Sequence, residues 1–216
     1  MATLKEITYD LYQHIRANAS DEDDIDLRNI KYWIRTQRNL WLKNVLNKYK
    51  ITSENIIQDL GSLSLETSGV FKRTTVELPR FLSVNQEPQI VRVGPTTLSK
   101  TEKDYSIVPY QSSKSLGNGR FNSGLVYAFL YNNRIYLSSS STILSALTTV
   151  NVRGVFEEPL DVVTYGTPNV SFTEDMEYPV DEGFIPYIKA EILKADILPF
   201  LKTSQDPSND SHNNLN

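Results

Sequence analysis

Leu125-Val126-Tyr127-Ala128-Phe129-Leu130-Tyr131-Asn132-Asn133-Arg134-Ile135-Tyr136-Leu137-Ser138 is the stretch that decides the fold. Two runs of strand-forming residues flank an Asn-Asn pair, and asparagine tolerates the positive φ that a two-residue hairpin loop requires. The reading is a β-hairpin with strands over 125–131 and 134–138. Side chains alternate across a strand. Val126, Ala128, Leu130, Ile135 and Leu137 therefore share one face, and Tyr127, Phe129, Tyr131 and Tyr136 share the other. Both faces are apolar or aromatic, so both need cover. The aromatic face is expected to find it on another subunit.

Outward from the hairpin the β signals continue. Ile56-Ile57 through Leu65, Thr74 to Leu78, Gln89 to Val93, Tyr105 to Val108 and Val150 to Phe156 are further candidate strands between turn residues. Asp161–Thr173 reads as irregular. At both ends the spacing becomes helical. Leu4, Ile7, Leu11 and Ile15 place a helix over about 3–18. A second helix, over about 27–48, is capped by Asp26 or Asp24. Its apolar arc holds Leu27, Ile30, Ile34, Trp41 and Val45, widened by Trp33 and Leu40. Trp33, Ile34 and Trp41 are expected to be largely buried. Pro186 opens a last helix over about 186–198, at a position that tolerates proline. The polar run 203–216 reads as a disordered tail. The class is α+β, with N-terminal helices, a β-rich centre and a C-terminal helix, and residues 1–202 form a single domain.

Charge is distributed unevenly. Residues 1–50 hold nine Lys/Arg and seven Asp/Glu, whereas residues 151–216 hold four Lys/Arg and twelve Asp/Glu. A net charge of −4 argues against a general nucleic-acid binder. On the second helix Arg28, Lys31, Arg35 and Arg38 recur at spacings of three, four and three, forming a basic ridge beside the apolar arc. Two readings stay open for it: a solvated helix face, or a contact with acids of a neighbour or with DNA in a channel. In the first case it needs no partner. In the second, the acidic segment 151–182 of another chain is the leading source of counter-charge.

The residues that carry chemistry are scarce. With no cysteine, disulfides, thiolate metal sites and cysteine nucleophiles are excluded. His14 and His212 stand at no motif spacing with a carboxylate or nucleophile and read as surface histidines. No HExxH, GxSxG, Walker A or Rossmann fingerprint occurs. Gly117-Asn118-Gly119-Arg120 lacks the lysine of a phosphate loop and reads as a turn. Asp21, Asp23, Asp24 and Asp26 lack the central glycine and distal glutamate of a calcium loop. Glu157-Glu158 and Glu174-Asp175 with Glu177 read as surface acids, since paired carboxylates need an enclosed site to separate their pKa values. No catalytic, cofactor or metal residue is expected. The N-terminal run MATLKEITYDLYQHIR has no apolar signal region, and no stretch approaches the roughly 20 apolar residues of a membrane span.

Four segments, in order, carry a resemblance. They are Ile56-Ile57-Gln58-Asp59-Leu60-Gly61; Arg120-Phe121-Asn122 running into Leu125–Leu130; Val150-Asn151-Val152-Arg153-Gly154-Val155-Phe156-Glu157-Glu158-Pro159; and Tyr178-Pro179-Val180 through Phe184-Ile185-Pro186-Tyr187-Ile188-Lys189. Following two N-terminal helices, this set resembles a family of virion structural proteins of crAss-like phages. The plan is also similar to the adaptor and tail rings of short-tailed phages, with a sandwich-like β centre. The resemblance implies a non-catalytic subunit, made in the host bacterial cytoplasm, of a closed homo-oligomeric ring of about twelve copies in the neck or tail. It would join portal to tail, meet neighbouring tail proteins, and leave a channel through which genomic DNA passes without sequence-specific binding. The subunit contacts expected are the basic ridge (Arg28, Lys31, Arg35, Arg38) and the aromatic hairpin face (Tyr127, Phe129, Tyr136). A non-enzymatic assembly chaperone or small binding module is the alternative.

Overall fold

The computed structural model describes residues 2–18, 25–49, 53–96, 103–115 and 124–197. The acidic run 21–24, the stretch 117–122, residue 198 of the last expected helix, the tail 203–216 and His212 lie outside the described residues. In chain order the elements are α1 (Leu4–Asn18), α2 (Leu27–Tyr49), β1 (Gln58–Ser68), β2 (Phe71–Thr74), β3 (Ser83–Val84), β4 (Glu87–Pro88), β5 (Ile90–Gly94), β6 (Ser106–Ile107), β7 (Tyr127–Tyr131), β8 (Arg134–Ser138), α3 (Ser141–Ala146), β9 (Thr149–Gly154), β10 (Val163–Thr164), β11 (Val170–Ser171) and α4 (Ile185–Glu191). After α4 the chain widens into a π turn over Ile192–Ile197. Helices at both ends around a β-rich centre give the predicted α+β class.

Two compact units are present, residues 1–42 with 174–216, and residues 43–173. In the first, α1 starts from a capping box. Thr3 N donates to Glu6 Oε2 at 2.8 Å and Glu6 N donates to Thr3 Oγ1 at 3.1 Å. The hydrogen bond from the Thr3 backbone holds the Glu6 carboxyl below its ordinary pKa. Leu4, Ile7, Leu11 and Ile15 are all buried, as their spacing predicts. Residues 174–178 run beside the start of α1, with Lys5 N donating to Glu174 O at 3.2 Å and Tyr178 N to Ala2 O at 3.2 Å. Ile7, Ile34, Tyr178, Val180, Ile185 and Ile188 close on a gap with no room for a water.

The second unit is built on a seven-stranded sheet of order β5-β9-β1-β2-β8-β7-β6. Long β1 pairs with β9 through its first part and with β2 from Leu65 onward. The sheet rolls until its edges meet, because Tyr105 N, just before β6, donates to Val93 O of β5 at 2.7 Å. One core fills the roll, drawing Leu60, Leu63, Val93, Ala128, Ile135 and Val152 from strands along its whole width. The hairpin forms in the expected register, Leu130 opposite Ile135, with Asn132 and Asn133 at φ 47° and 54°.

Three details differ from the sequence reading. The strand expected at Thr74–Leu78 is instead β2 at Phe71–Thr74. Gly69, at φ 62°, makes a two-residue turn after β1, so pairing is used up by Thr74, and Leu78 N then closes the hairpin turn by donating to Asn133 O at 2.7 Å. Helix α3 interrupts the β-rich centre. The segment 161–173, read as irregular, holds the short β10–β11 pair.

Within the same segment Tyr165 lies against β1. Tyr165 N donates to Leu60 O at 2.8 Å, and Ser62 N donates to Tyr165 O at 2.8 Å. Between those bonds β1 bulges at Gly61, whose φ is 69° and whose N–H is held by Asp59 Oδ1 at 2.7 Å. A Cβ on Gly61 would sit 2.1 Å from Tyr165 O. Gly61→Ala must therefore strain the left-handed backbone and push the Tyr165 carbonyl away. A loss of about 2–4 kcal/mol is expected in urea unfolding. A loss within experimental error would show that the bulge is not needed.

Candidate subunit interface

Helix α2 contains six Lys/Arg and no Asp/Glu. Its buried line is Ile30, Ile34, Arg38, Leu42 and Leu46, at a constant spacing of four. This line is rotated from the predicted arc. Ile34 is buried as expected, but Trp33, Trp41 and Val45 are half-buried, while Leu27 and Leu40 are 44% and 51% exposed. Trp41 keeps a partner, the Phe184 ring, with centroids 3.8 Å apart.

The rotation separates the four residues of the basic ridge. Arg38 sits in the middle of the buried line with no exposed surface. Its Nε donates to Pro179 O at 2.8 Å, its Nη1 donates to Asn39 Oδ1 at 3.0 Å, and the guanidinium lies 5.6 Å from the Tyr178 ring centroid. A cation at that depth is tolerable only through such bonds. Arg38 thus clamps the 178–180 segment and, as the unit stands, has no surface to offer another chain.

Lys31 does meet an acid of the 151–182 segment, but one of its own chain. Its Nζ donates to both carboxylate oxygens of Glu174, at 2.6 and 2.8 Å. Arg28 is exposed, with its backbone N–H donating to Asp26 Oδ1 at 3.0 Å, so Asp26 is the helix cap. Arg35 is half-buried and holds its guanidinium 5.1 Å from the centroid of the exposed Tyr32 ring. Of the ridge, Arg28 and Arg35 shape the outward side of α2.

The aromatic hairpin face is covered within the chain. Phe129 is buried, stacked on Tyr136 with centroids 5.4 Å apart and met edge-on by Phe71 at 5.4 Å. Tyr110, at the head of the 3-10 turn Tyr110–Ser115, lies 5.9 Å from Phe129 and stacks on Tyr131 at 4.6 Å. Tyr127 is buried and Tyr136 half-buried. Cover expected from another subunit comes instead from Phe71 and Tyr110, which are distant in sequence. What remains outward is the Tyr110–Tyr131 rim, about two-fifths exposed.

Among the described residues, no group of three or more His, Cys, Asp or Glu is placed to hold a metal ion. No described helix is long and apolar enough to cross a membrane. A family model described as phage tail ring protein 2, of the crAss type, matches residues 6–215. The chain belongs to that family. No curated protein matches it. As a phage tail ring protein it is a component of the virion. The segments that carried the resemblance also have structural work to do. Asp59-Leu60-Gly61 is the β1 bulge, and Tyr178-Pro179-Val180 receives Arg38. Gly154, with the Phe81 ring 2.6 Å from where a Cβ would stand, lets β9 pass close to the tilted Phe81–Phe156 pair.

Proposed function

We propose that this tail ring protein is a non-catalytic structural subunit of a closed homo-oligomeric ring in the phage neck or tail, joining portal to tail. The ring would leave a channel through which genomic DNA passes without sequence-specific contact. The family match over residues 6–215 carries this reading. Both compact units would belong to one ring subunit, and α2, basic along its length, would face a neighbour. Arg28, exposed at the start of α2, is the ridge residue best placed for that contact, and the half-buried Arg35 lies on the same helix, to one side of the buried Arg38. The Tyr110–Tyr131 rim, backed by Tyr136, offers a second, aromatic contact of the kind enriched at interfaces.

Charges at the edge of an interface set encounter rate and register more than affinity. The double reversal Arg28→Glu with Arg35→Glu should therefore slow incorporation of the chain into particles, and most at low salt, where screening is least. Lys31→Ala is the comparison. It breaks a partly exposed pair within the chain, costs about 0–1 kcal/mol of stability, and should leave assembly unaltered. Equal incorporation of wild type and the double reversal at every salt concentration would leave α2 as a solvated face.

A further inference from the structure

The rolled sheet of the second unit has an apolar groove at one end and an apolar turn at the other. Its edges meet where Tyr105 N donates to Val93 O. Past that bond, between the start of β5 and the end of β6, lies a groove of about 480 Å³ lined by Ile90, Ile107, Pro109, Tyr110 and Leu130. That volume is within the range of pockets that enclose a bound group. Ile107 and Tyr110 are 43% and 39% exposed there. One wall is the β3–β4 turn, where Asn85 and Gln86 have φ of 51° and 69°. Asn85 Nδ2 donates to Asn47 Oδ1 at 2.8 Å, which ties that wall to the end of α2.

The β1–β2 turn stands at the opposite end of the sheet. Strands β2, β7 and β6 all run away from it, through the antiparallel pairs β2–β8 and β8–β7 and the parallel pair β7–β6. Strand β5 runs toward it, and its first residue, Ile90, is level with Gln58, because both stand opposite Gly154. From Gln58 the 11 residues of β1 lead to the turn, roughly 35 Å of extended chain. There Val70 is 79% exposed, more than any other large hydrophobic side chain among the described residues, and Gly69 beside it faces open space. A lone exposed valine needs no partner in itself. Here the other end of the same unit offers a groove of matching character. Residues 67–71, Thr-Ser-Gly-Val-Phe, carry no charge. The charges that flank them in sequence are held within the chain, Lys72 by the Leu147 carbonyl and Arg73 by Glu66. The groove lining has one charged residue among those described, the exposed Glu87. The turn can therefore enter the groove with little desolvation of charge.

From this match we infer that the β1–β2 turn of one copy enters the groove of the next, with Val70 seated against Ile107 and Tyr110. This rests on the ring reading and deepens it, because it names what meets the Tyr110 rim. Turn and groove stand at opposite ends of one unit, so a copy cannot fill its own groove and the contact is heterologous. Such contacts close into rings when the rotation between neighbours allows. Tyr110 suits the receiving side, since tyrosine is enriched at the energetic centres of interfaces.

The absence of native cysteine makes a direct test possible. Gln111 lines the groove in the 3-10 turn that follows β6. Particles assembled with a chain carrying both Val70→Cys and Gln111→Cys are treated with a short bis-maleimide and run under denaturing conditions. The expected result is a ladder of covalent multimers from the double variant and monomer from either single variant. Covalent dimers from a single variant would mean that like surfaces meet and would overturn the inference. Monomer alone from the double variant, in particles where electron microscopy shows the ring, would also overturn it while leaving the ring reading intact. Absence of any ring would remove both.

If the cysteine variants are not incorporated, a charge pair decides. Val70→Asp should lower incorporation by about tenfold and leave the urea midpoint of the isolated chain unchanged. An exposed turn residue adds little to folding, whereas an unpaired carboxylate is costly inside an apolar groove. Adding Gln111→Lys, which puts a cation beside it, should bring incorporation back to within about threefold of wild type. Wild-type incorporation of Val70→Asp, or no recovery in the pair, would overturn the inference.

Discussion

Arg38→Ala is expected to lose about 3–5 kcal/mol of stability, against about 0.5 kcal/mol for Arg35→Ala one turn earlier. The two residues differ in what would be left behind. Removing the Arg38 side chain strands the buried Pro179 carbonyl, empties the space beside Tyr178, and unlocks the segment that α2 holds. Removing Arg35 takes a half-buried side chain off an exposed tyrosine ring and strands no buried carbonyl of the 178–180 segment. Urea denaturation of the two variants, side by side, checks the contrast. Equal midpoints would place Arg38 on the surface, contrary to the buried line Ile30–Ile34–Arg38–Leu42.

Phe129→Ala should be comparably costly, at about 3–5 kcal/mol, because the ring is fully enclosed by Phe71, Tyr110 and Tyr136. Tyr131→Ala, on the same face but about two-fifths exposed, should cost roughly 1 kcal/mol. Both measurements are made on the isolated chain, where no neighbour is present to help. That condition is what separates cover within the chain from cover between subunits. If Phe129→Ala melts like wild type alone but fails to enter particles, the aromatic face belongs to an interface after all.

Much of the fold is legible from periodicity. The α1 stripe and the hairpin register were both readable because each pattern repeats locally and a local turn or cap fixes its phase. Helix α2 was misread by part of a turn. Its true buried line runs through Arg38, and a charged side chain in that position disguises the line as two separate stripes. Leu42 and Leu46, spaced four apart beyond Arg38, were the available signal, but Trp33, Leu40 and Trp41 outweighed them. The outward aromatic face of the hairpin was identified correctly, and its cover was not. Tyr110 reaches Phe129 through the short β6 crossing and a 3-10 turn, and nothing in local spacing announces a contact of that range. Nor could the sequence tell that Glu174 would meet Lys31 of its own chain. Charge complementarity was visible, but which copy supplies each partner depends on tertiary distance.

The central claim, that this protein builds a ring in the virion, is tested most directly by an image reconstruction of the neck and tail of purified particles. The account predicts a closed ring of identical copies, each fitted by the described helices and rolled sheet, around an open axial channel. Particles whose neck and tail contain no copy of this chain, while infected cells contain it in quantity, would contradict the claim.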